Sequence, residues 1–421
     1  MNYFESEYFK YKGYQLFCEN VPLIEIADQQ STPTYVYSNK FFIDRYKEFD
    51  KAFAGLDHQI FFACKSNFNL SVIKTFVDAG SGVDVNSEGE LFRALKAGAS
   101  PKKIIMSGVG KTKNEIKLAL ENDLLMIKAE SEEEILLINE IAGSLNTKAR
   151  VAIRVNPDVD AKTHPYISTG LAKNKFGVDA ATALRLFKLK KDLKNIKYTG
   201  IDMHIGSQIT KVEPFVEAIE KLGELFQKVK SEGISLEHID LGGGIGVAYN
   251  NEKTFSAEEF SNAVSPILKK LNCKVFFEPG RFLTANGGVL IAQVLYTKKN
   301  HDKNFIITDG AMNDLLRPSI YGAYHHIQPL TLTKDKKDIT ADVVGPVCES
   351  GDFLAKNVQI TECKRGEFIA VLSAGAYGMV MSSNYNMRRR PAEVLVSGNN
   401  FKVVRRRESF ESLLKDEIDL L

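Results

Sequence analysis

A closed (β/α)8 barrel joined to a mainly β domain is the fold class that this sequence predicts, and two features carry the prediction. Between residues 59 and 278, eight short runs rich in Val, Ile and Phe alternate with stretches of helical period, which is the pattern of repeated strand–helix units. After Arg281 the helical period stops, and strand-like segments punctuated by Gly, Asn and Asp replace it. The length of 421 residues agrees with a division in two, because it exceeds the size at which one core stops growing.

In chain order, the first 37 residues contain YQLFCEN, PLIEIAD and TPTYVYS, which read as strands outside the repeat and can join the later β domain by sheet pairing. The barrel strands are expected at Gln59 to Ala63, Val83 to Val85, Ile104 to Met106, Leu124 to Ile127, Arg150 to Val155, Gly200 to His204, His238 to Leu241 and Val275 to Phe277. Helices such as Glu132 to Ala142 and Val212 to Ser231 separate them. A barrel is the economical way to close eight such units, with an open doubly wound sheet as the alternative. Beyond Arg281 follow VLIAQVLYT, NFIITDG, ITADVVG, EFIAVLS, AEVLVSG and FKVVRRR, and the chain ends in ESFESLLKDEIDLL, a short amphipathic helix. The expected domains are 1–37, strands that join the β domain; 38–282, the barrel; and 283–421, a β domain of sandwich or Greek-key type.

Composition narrows the function. With 44% apolar and 26% charged residues, and apolar runs too short and interrupted to span a bilayer, membrane insertion is not expected. A formal net charge of +2 gives no field to recruit nucleic acid, and the basic run Arg388 to Arg390 is too short to supply one. The N-terminus MNYFESEYFKYKG has no signal-peptide pattern, so the cytoplasm is the expected compartment. Cysteines 18, 64, 273, 348 and 363 are scattered without a C-x-x-C, which suggests neither a disulfide framework nor a metal site.

The ends of the expected strands carry Lys65, Asp84, Ser107, Arg154 with Asn156, His204, the run Gly242 to Gly244, and Glu278. In a barrel those ends converge on one face, so residues far apart in sequence share a pocket. Lys65 follows IFFAC, an apolar setting that depresses an amine pKa as a Schiff-base lysine requires; alone, a strand-end lysine is far more often a solvated edge. IDLGGGIG sets bare backbone after a strand, suited to closing around a phosphate, although an unliganded glycine turn has the same sequence. Glu278, in FFEPGR, suits a pyridine nitrogen that must stay protonated, with a salt bridge to Arg281 as the competing reading. His204, in MHIGSQ, can lay its ring on an aromatic cofactor with the Ser207 hydroxyl nearby, or be a core histidine. Taken jointly, lysine, glycine cradle, carboxylate and histidine on four strand ends point to pyridoxal phosphate.

Beyond the barrel, DGAMNDLLRPSIYGAYHH sets Arg317 and Tyr321 four residues apart, and GPVCESGD places Cys348, Glu349 and Asp352 in a loop after a strand. Arginine suits bidentate capture of a carboxylate, and a nearby glutamate suits an ammonium. Tyr377, in SAGAYGMVMSSNYN, is a candidate for a phosphate or ring contact. Surface charge, a buried thiol and a core tyrosine are the plain alternatives for Arg317, Cys348 and Tyr377.

Ten segments in order resemble the fold-type III pyridoxal phosphate decarboxylases over essentially the whole chain: FFACKSN, GVDVNSEGEL, RVNPDV, KFG, HIGSQ, GGGIG, EPGR, MNDLLRPSIYGAYH, CESGD and GAYG. The resemblance implies that Lys65 carries the cofactor as a Schiff base, with Asp84 and Ser207 in the cofactor site. It implies that His204 stacks on the ring, that Glu278 holds its nitrogen, and that Gly243, Gly244, Gly280, Arg281 and Tyr377 lie around the cofactor and its phosphate. It further implies a head-to-tail homodimer with shared active sites, to which Cys348 and Glu349 come from the partner. The substrate it implies is meso-diaminopimelate, with Arg281, Arg317 and Tyr321 at the distal carboxylate, Glu349 at the distal ammonium and Tyr377 also in the substrate site. Cys348 is then the candidate acid that protonates carbon after CO2 leaves.

Three positions depart from the pattern: Glu88 stands where glycine is usual, Cys64 precedes the lysine, and Asp202 stands where a histidine is common before HIGSQ. The nearest rival reading is a decarboxylase for ornithine, arginine or a carboxylated polyamine, whose substrates would leave arginines aimed at a second carboxylate unpaired. An amino-acid racemase is the rival class, against which Glu278 argues, because a neutral pyridine nitrogen is usually matched to arginine. A non-enzymatic pyridoxal phosphate carrier resembles the barrel alone.

Overall fold

The computed structural model describes residues 3–161, 163–171, 174–334 and 336–421. They form two compact units: Asp44–Val247 with Glu252–Leu283, and the N-terminal segment through Ile43 with Ala248–Asn251 and Thr284–Leu421.

The first unit is a closed barrel of eight parallel strands in sequential order. They are β1 His58–Ala63, β2 Gly82–Val85, β3 Ile104–Met106, β4 Met126–Ala129, β5 Ala149–Arg154, β6 Ile196–Asp202, β7 His238–Asp240 and β8 Lys274–Phe277. The strands are buried on both sides, which is why they read as near-continuous apolar runs. Helices between them start where the sequence offers caps: Ser87, Ser131 and Asp179 each accept an N–H of the first turn, and Thr112 with Glu115 and Ser256 with Glu259 form capping boxes.

Because side chains alternate along a strand, every second residue enters the barrel. One interior layer is an apolar floor: Phe61, Ile105, Met126, Ala152 and Phe276 form one buried cluster. His238 joins it, stacked on Phe276 with ring centroids 4.3 Å apart and with Nε2 3.0 Å from the Met126 sulfur. Gly82 and Gly200 complete this floor, since a β-carbon on Gly82 would enter the Phe61 ring and one on Gly200 the His238 ring. Small residues opposite large ones make room for the rings that the floor carries.

The second unit is built on a nine-stranded sheet. Its long strand Gly288–Asn300 pairs with Thr34–Ser38, Phe368–Val371 and Lys303–Thr308, and Thr34–Ser38 pairs in parallel with Ala392–Ser397. A strand from the N-terminal segment thus lies inside the C-terminal sheet. One face of the sheet, including Val36, Val289, Ile291, Val394 and Val396, packs with Leu23, Ile26 and Ala27 and with a small sheet of Phe9–Lys12, Gln15–Cys18 and Val21–Pro22.

Several local expectations are corrected. PLIEIAD is not a strand; Leu23–Gln30 is a helix, and Leu23, Ile26 and Ala27 bury the i, i+3, i+4 face that a helix needs. The fourth barrel strand runs two residues later than its apolar run suggested, because burial continues through Lys128. Phe353–Thr361 is a strand the pattern hides, since its exposed Lys356 and Asn357 coincide with a register shift and a positive φ at Asn357. The C-terminal helix shrinks to Phe410–Leu414.

Burial, reinforced by the Lys128 and Lys274 charges, holds the His238 imidazole down to about 3. The unfolded chain therefore takes up a proton before the folded one, and stability present above about pH 6.5 is lost as the pH falls toward the folded value. Replacing His238 by Phe keeps the stack and removes this linkage. Between pH 7 and 5, urea unfolding is expected to show wild type losing about 2 kcal/mol more than His238→Phe.

Candidate active site

The second interior layer, two residues beyond the floor on each strand, is polar where the floor is apolar. It contains Asp84 on β2, Ser107 after β3, Lys128 on β4, Arg154 on β5, Asp202 on β6, Asp240 on β7 and Glu278 after β8, all of them buried. Lys65 stands above it in the turn Cys64–Ser66 that follows β1, its Nζ 3.8 Å from Asp84 Oδ2 and its side chain 38% exposed. The Ser107 hydroxyl donates to Asp84 Oδ1 at 2.6 Å, so the carboxylate facing the lysine is held from behind.

Lys128 is the cation at the centre. It is 1% exposed, and its ammonium reaches Asp202 Oδ1 at 2.7 Å, Asp240 Oδ2 at 2.8 Å and Glu278 Oε1. Burial pulls its pKa down, but Asp202, Asp240, Glu278 and Asp84 outweigh burial and hold the ammonium charged. Burial and the neighbouring Asp240 and Asp84 carboxylates push Glu278 well up, against the pull of Lys128. Asp240 is pushed up to about 6, again chiefly by burial. Arg154 completes the layer, donating to Glu130 at 3.0 Å and lying over the Phe176 ring.

His204 is partly buried just after β6, and its Nδ1 accepts the Gly243 N–H at 3.1 Å. An Nδ1 that accepts leaves the proton on Nε2 in the neutral ring. Burial, with Lys65, Arg154 and Lys128 adding to it, holds the imidazole well below the usual histidine range. The ring is thus neutral and apolar-faced, the form that packs best on an aromatic plane.

The glycine run is shaped for backbone approach. Gly242 and Gly244 have φ of +64° and +105°. A β-carbon on Gly242, Gly243 or Gly244 would overlap the carbonyl oxygen of Met203, Glu278 or Gly206 respectively, and one on Gly280 would lie 3.0 Å from the Ser66 side chain. Asp240 Oδ1 accepts the Gly242 N–H at 2.9 Å, which ties the run to the Lys128 cluster. Arg281 is buried and donates to the Ser207 hydroxyl at 3.0 Å, so Ser207 is engaged by arginine, as well as being close in sequence to His204. This bare-backbone cradle, with a lysine amine, a buried carboxylate and a neutral imidazole on neighbouring strand ends, fits pyridoxal phosphate.

In the β unit, Arg317 opens the short helix Arg317–Tyr321. Its guanidinium lies over the Tyr249 ring, 4.4 Å from the centroid, and donates to His325 Nε2 at 2.7 Å. His325 in turn donates from Nδ1 to the Leu372 carbonyl at 2.8 Å, which leaves Nε2 as the acceptor that arginine needs. Tyr321 is half-buried. Cys348 and Glu349 are exposed; the Cys348 N–H donates to Asn386 Oδ1 at 2.8 Å. Tyr377 is held at φ +55°, a left-handed backbone unusual for tyrosine and of the kind that collects at functional sites.

Lys128, Asp240 and His325, which contact candidate site residues, were not singled out from the sequence. A lysine inside the run LLMIKAE was the available signal for the first. The three departures find places: Cys64 is buried and its thiol pushed well up by burial, so it is no oxidation-prone thiolate. Glu88 is exposed in the first turn of Glu88–Lys96, where a carboxylate is favoured, and Asp202 is a partner of Lys128.

Residues 40–285 match the family model described as pyridoxal-dependent decarboxylase, pyridoxal binding domain. The diaminopimelate decarboxylase of Aquifex aeolicus is 46% identical over 416 residues, covering 99% of this chain and 98% of that protein. The structure of diaminopimelate decarboxylase from Helicobacter pylori complexed with L-lysine superposes with a TM-score of 0.92 at 41% identity, covering 95% of this chain and 100% of that one. That from M. jannaschii in co-complex with L-lysine gives 0.93 at 34% identity, covering 97% of each. The chain belongs to the pyridoxal-dependent decarboxylases, and within them to the diaminopimelate decarboxylase family.

Replacing Gly243 by Ala forces a methyl group against the Glu278 carbonyl. The variant is expected to fold yet lose bound pyridoxal phosphate on desalting, read from the visible absorbance of the protein fraction.

Proposed function

We infer that this chain decarboxylates meso-2,6-diaminopimelate on pyridoxal phosphate, releasing CO2 and L-lysine. The observation that carries the substrate is the near full-length likeness to diaminopimelate decarboxylases, which extends beyond the cofactor barrel through the β unit. Bound pyridoxal phosphate supplies an aldehyde carbon for the substrate α-amine and a ring that accepts the electron pair left by departing CO2.

Each remaining role belongs to the chain. Lys65 anchors the cofactor and yields its place to the incoming amine. Glu278 holds the ring nitrogen, His204 covers the ring face, and Asp84 lies beside the lysine. Gly243, Gly244 and Gly280 let backbone approach the phosphate, with Ser207, Arg281 and Tyr377 beside it. Arg281, Arg317 and Tyr321 take the distal carboxylate, Glu349 the distal ammonium, and Tyr377 also faces the substrate. Ornithine offers no second carboxylate, and a desolvated guanidinium left without one opposes its binding. Cys348 delivers the proton to the carbon from which CO2 left.

The exposure of Cys348 and Glu349 supports a further part of this reading, that a homodimer completes the site with Cys348 of the partner subunit. Five cysteines without disulfides suit the reducing cytoplasm, and among the described residues no helix is long and apolar enough to cross a membrane.

With pyridoxal phosphate and meso-diaminopimelate, CO2 and L-lysine are expected in equal amounts, and neither from Lys65→Ala. Turnover of ornithine or arginine at comparable kcat/KM would overturn the substrate. Mixing Lys65→Ala with Cys348→Ala, each nearly inactive alone, is expected to restore about a quarter of wild-type turnover through mixed dimers. No recovery after subunit exchange would exclude sites shared in this way.

A further inference from the structure

We propose that Lys128 is a positioning residue for the reaction: by its contact with Glu278 it sets the charge and the aim of the carboxylate that meets the cofactor's ring nitrogen. The inference rests on the assignment of Glu278 to that nitrogen. Lys128 touches neither substrate nor reacting carbon in this scheme, and it acts through Glu278.

The geometry gives the reason. Carboxylate oxygens of Asp202, Asp240 and Glu278 all lie within 4.8 Å of one another inside the barrel. Three such groups cannot all stay ionised in a water-poor interior without a counter-charge, and protonation of one is the cheapest relief. Their spacing would admit a metal ion, yet the Lys128 ammonium already stands among them. The groups facing Glu278 are Lys128 from β4, Asp202 from β6, Asp240 from β7 and Asp84 from β2. Lys128 is the cation in direct contact with Glu278. Lys128 pulls Glu278 toward the ionised form against burial and the neighbouring carboxylates; with that pull removed Glu278 holds a proton more firmly and favours a protonated ring nitrogen less, which weakens the ring as an electron sink. Lys128 also contacts Asp240, whose other oxygen holds the Gly242 N–H, so one ammonium braces both the ring-nitrogen carboxylate and the glycine run.

The test reads the cofactor itself. Pyridoxal phosphate labelled with 15N in the ring is bound to the wild type, to Lys128→Gln, to Lys128→Arg and to Glu278→Gln, and the ring 15N shift and cofactor dissociation constant are measured. The expected result is a protonated ring nitrogen in wild type and in Lys128→Arg, and an unprotonated one in Lys128→Gln with cofactor affinity weakened about tenfold, the equivalent of one pKa unit. If Lys128→Gln does not fold, Lys128→Gln/Asp202→Asn removes one charge of each sign at nearly constant volume and should show the same shift. An unchanged 15N signal and affinity in folded Lys128→Gln, or in the double variant if Lys128→Gln does not fold, with Glu278→Gln shifted, overturns the proposal alone. An unshifted Glu278→Gln overturns the assignment of Glu278 and the proposal with it.

Discussion

Closure of eight strands in register is the constraint from which the barrel site follows. A closed cylinder admits every second side chain and no more, so each strand contributes one residue to the floor and the next inward residue to the layer above. Met126 precedes Lys128, Gly200 precedes Asp202, His238 precedes Asp240 and Phe276 precedes Glu278, each by two positions. The floor is sealed by aromatic packing and by glycines where a neighbour is large. The layer above this floor is buried, and in so low a dielectric its charges act strongly and must be compensated.

That compensation organises the chemistry. Lys128 gathers three carboxylates that would otherwise repel, and one of them tethers the glycine run while another follows β8. The cations of the layer, together with burial, keep His204 neutral, and the glycine run fixes its tautomer through Gly243. The strand-end groups of β1, β6, β7 and β8 are therefore not independent. They share one electrostatic centre, and a buried ion cluster of this kind contributes more to specifying the arrangement than to net stability.

The β unit solves a different problem, which is how to keep a guanidinium ready without flexibility. Arg317 is stacked on Tyr249 and directed by His325, whose tautomer is set by the Leu372 carbonyl. An arginine fixed in this way has little rotamer freedom left to lose.

Much of this was legible in the residues alone. Alternation of apolar runs and helical stretches specifies a repeated strand–helix unit, and period-two placement puts Lys65, Asp84, His204 and Glu278 on one rim, because local pattern and strand periodicity do not depend on distant contacts. The helix at Leu23–Gln30 and the strand Phe353–Thr361 were not legible, since packing partners and a bulge overrode local pattern there. Lys128 escaped because a charge inside an apolar run looks like its end. Only the closed barrel brings Asp202, Asp240 and Glu278, 38 residues apart at each step, around one ammonium. Sequence determines which side chains face inward; tertiary structure decides which of them meet, because neutralising a buried charge takes partners that local periodicity cannot specify.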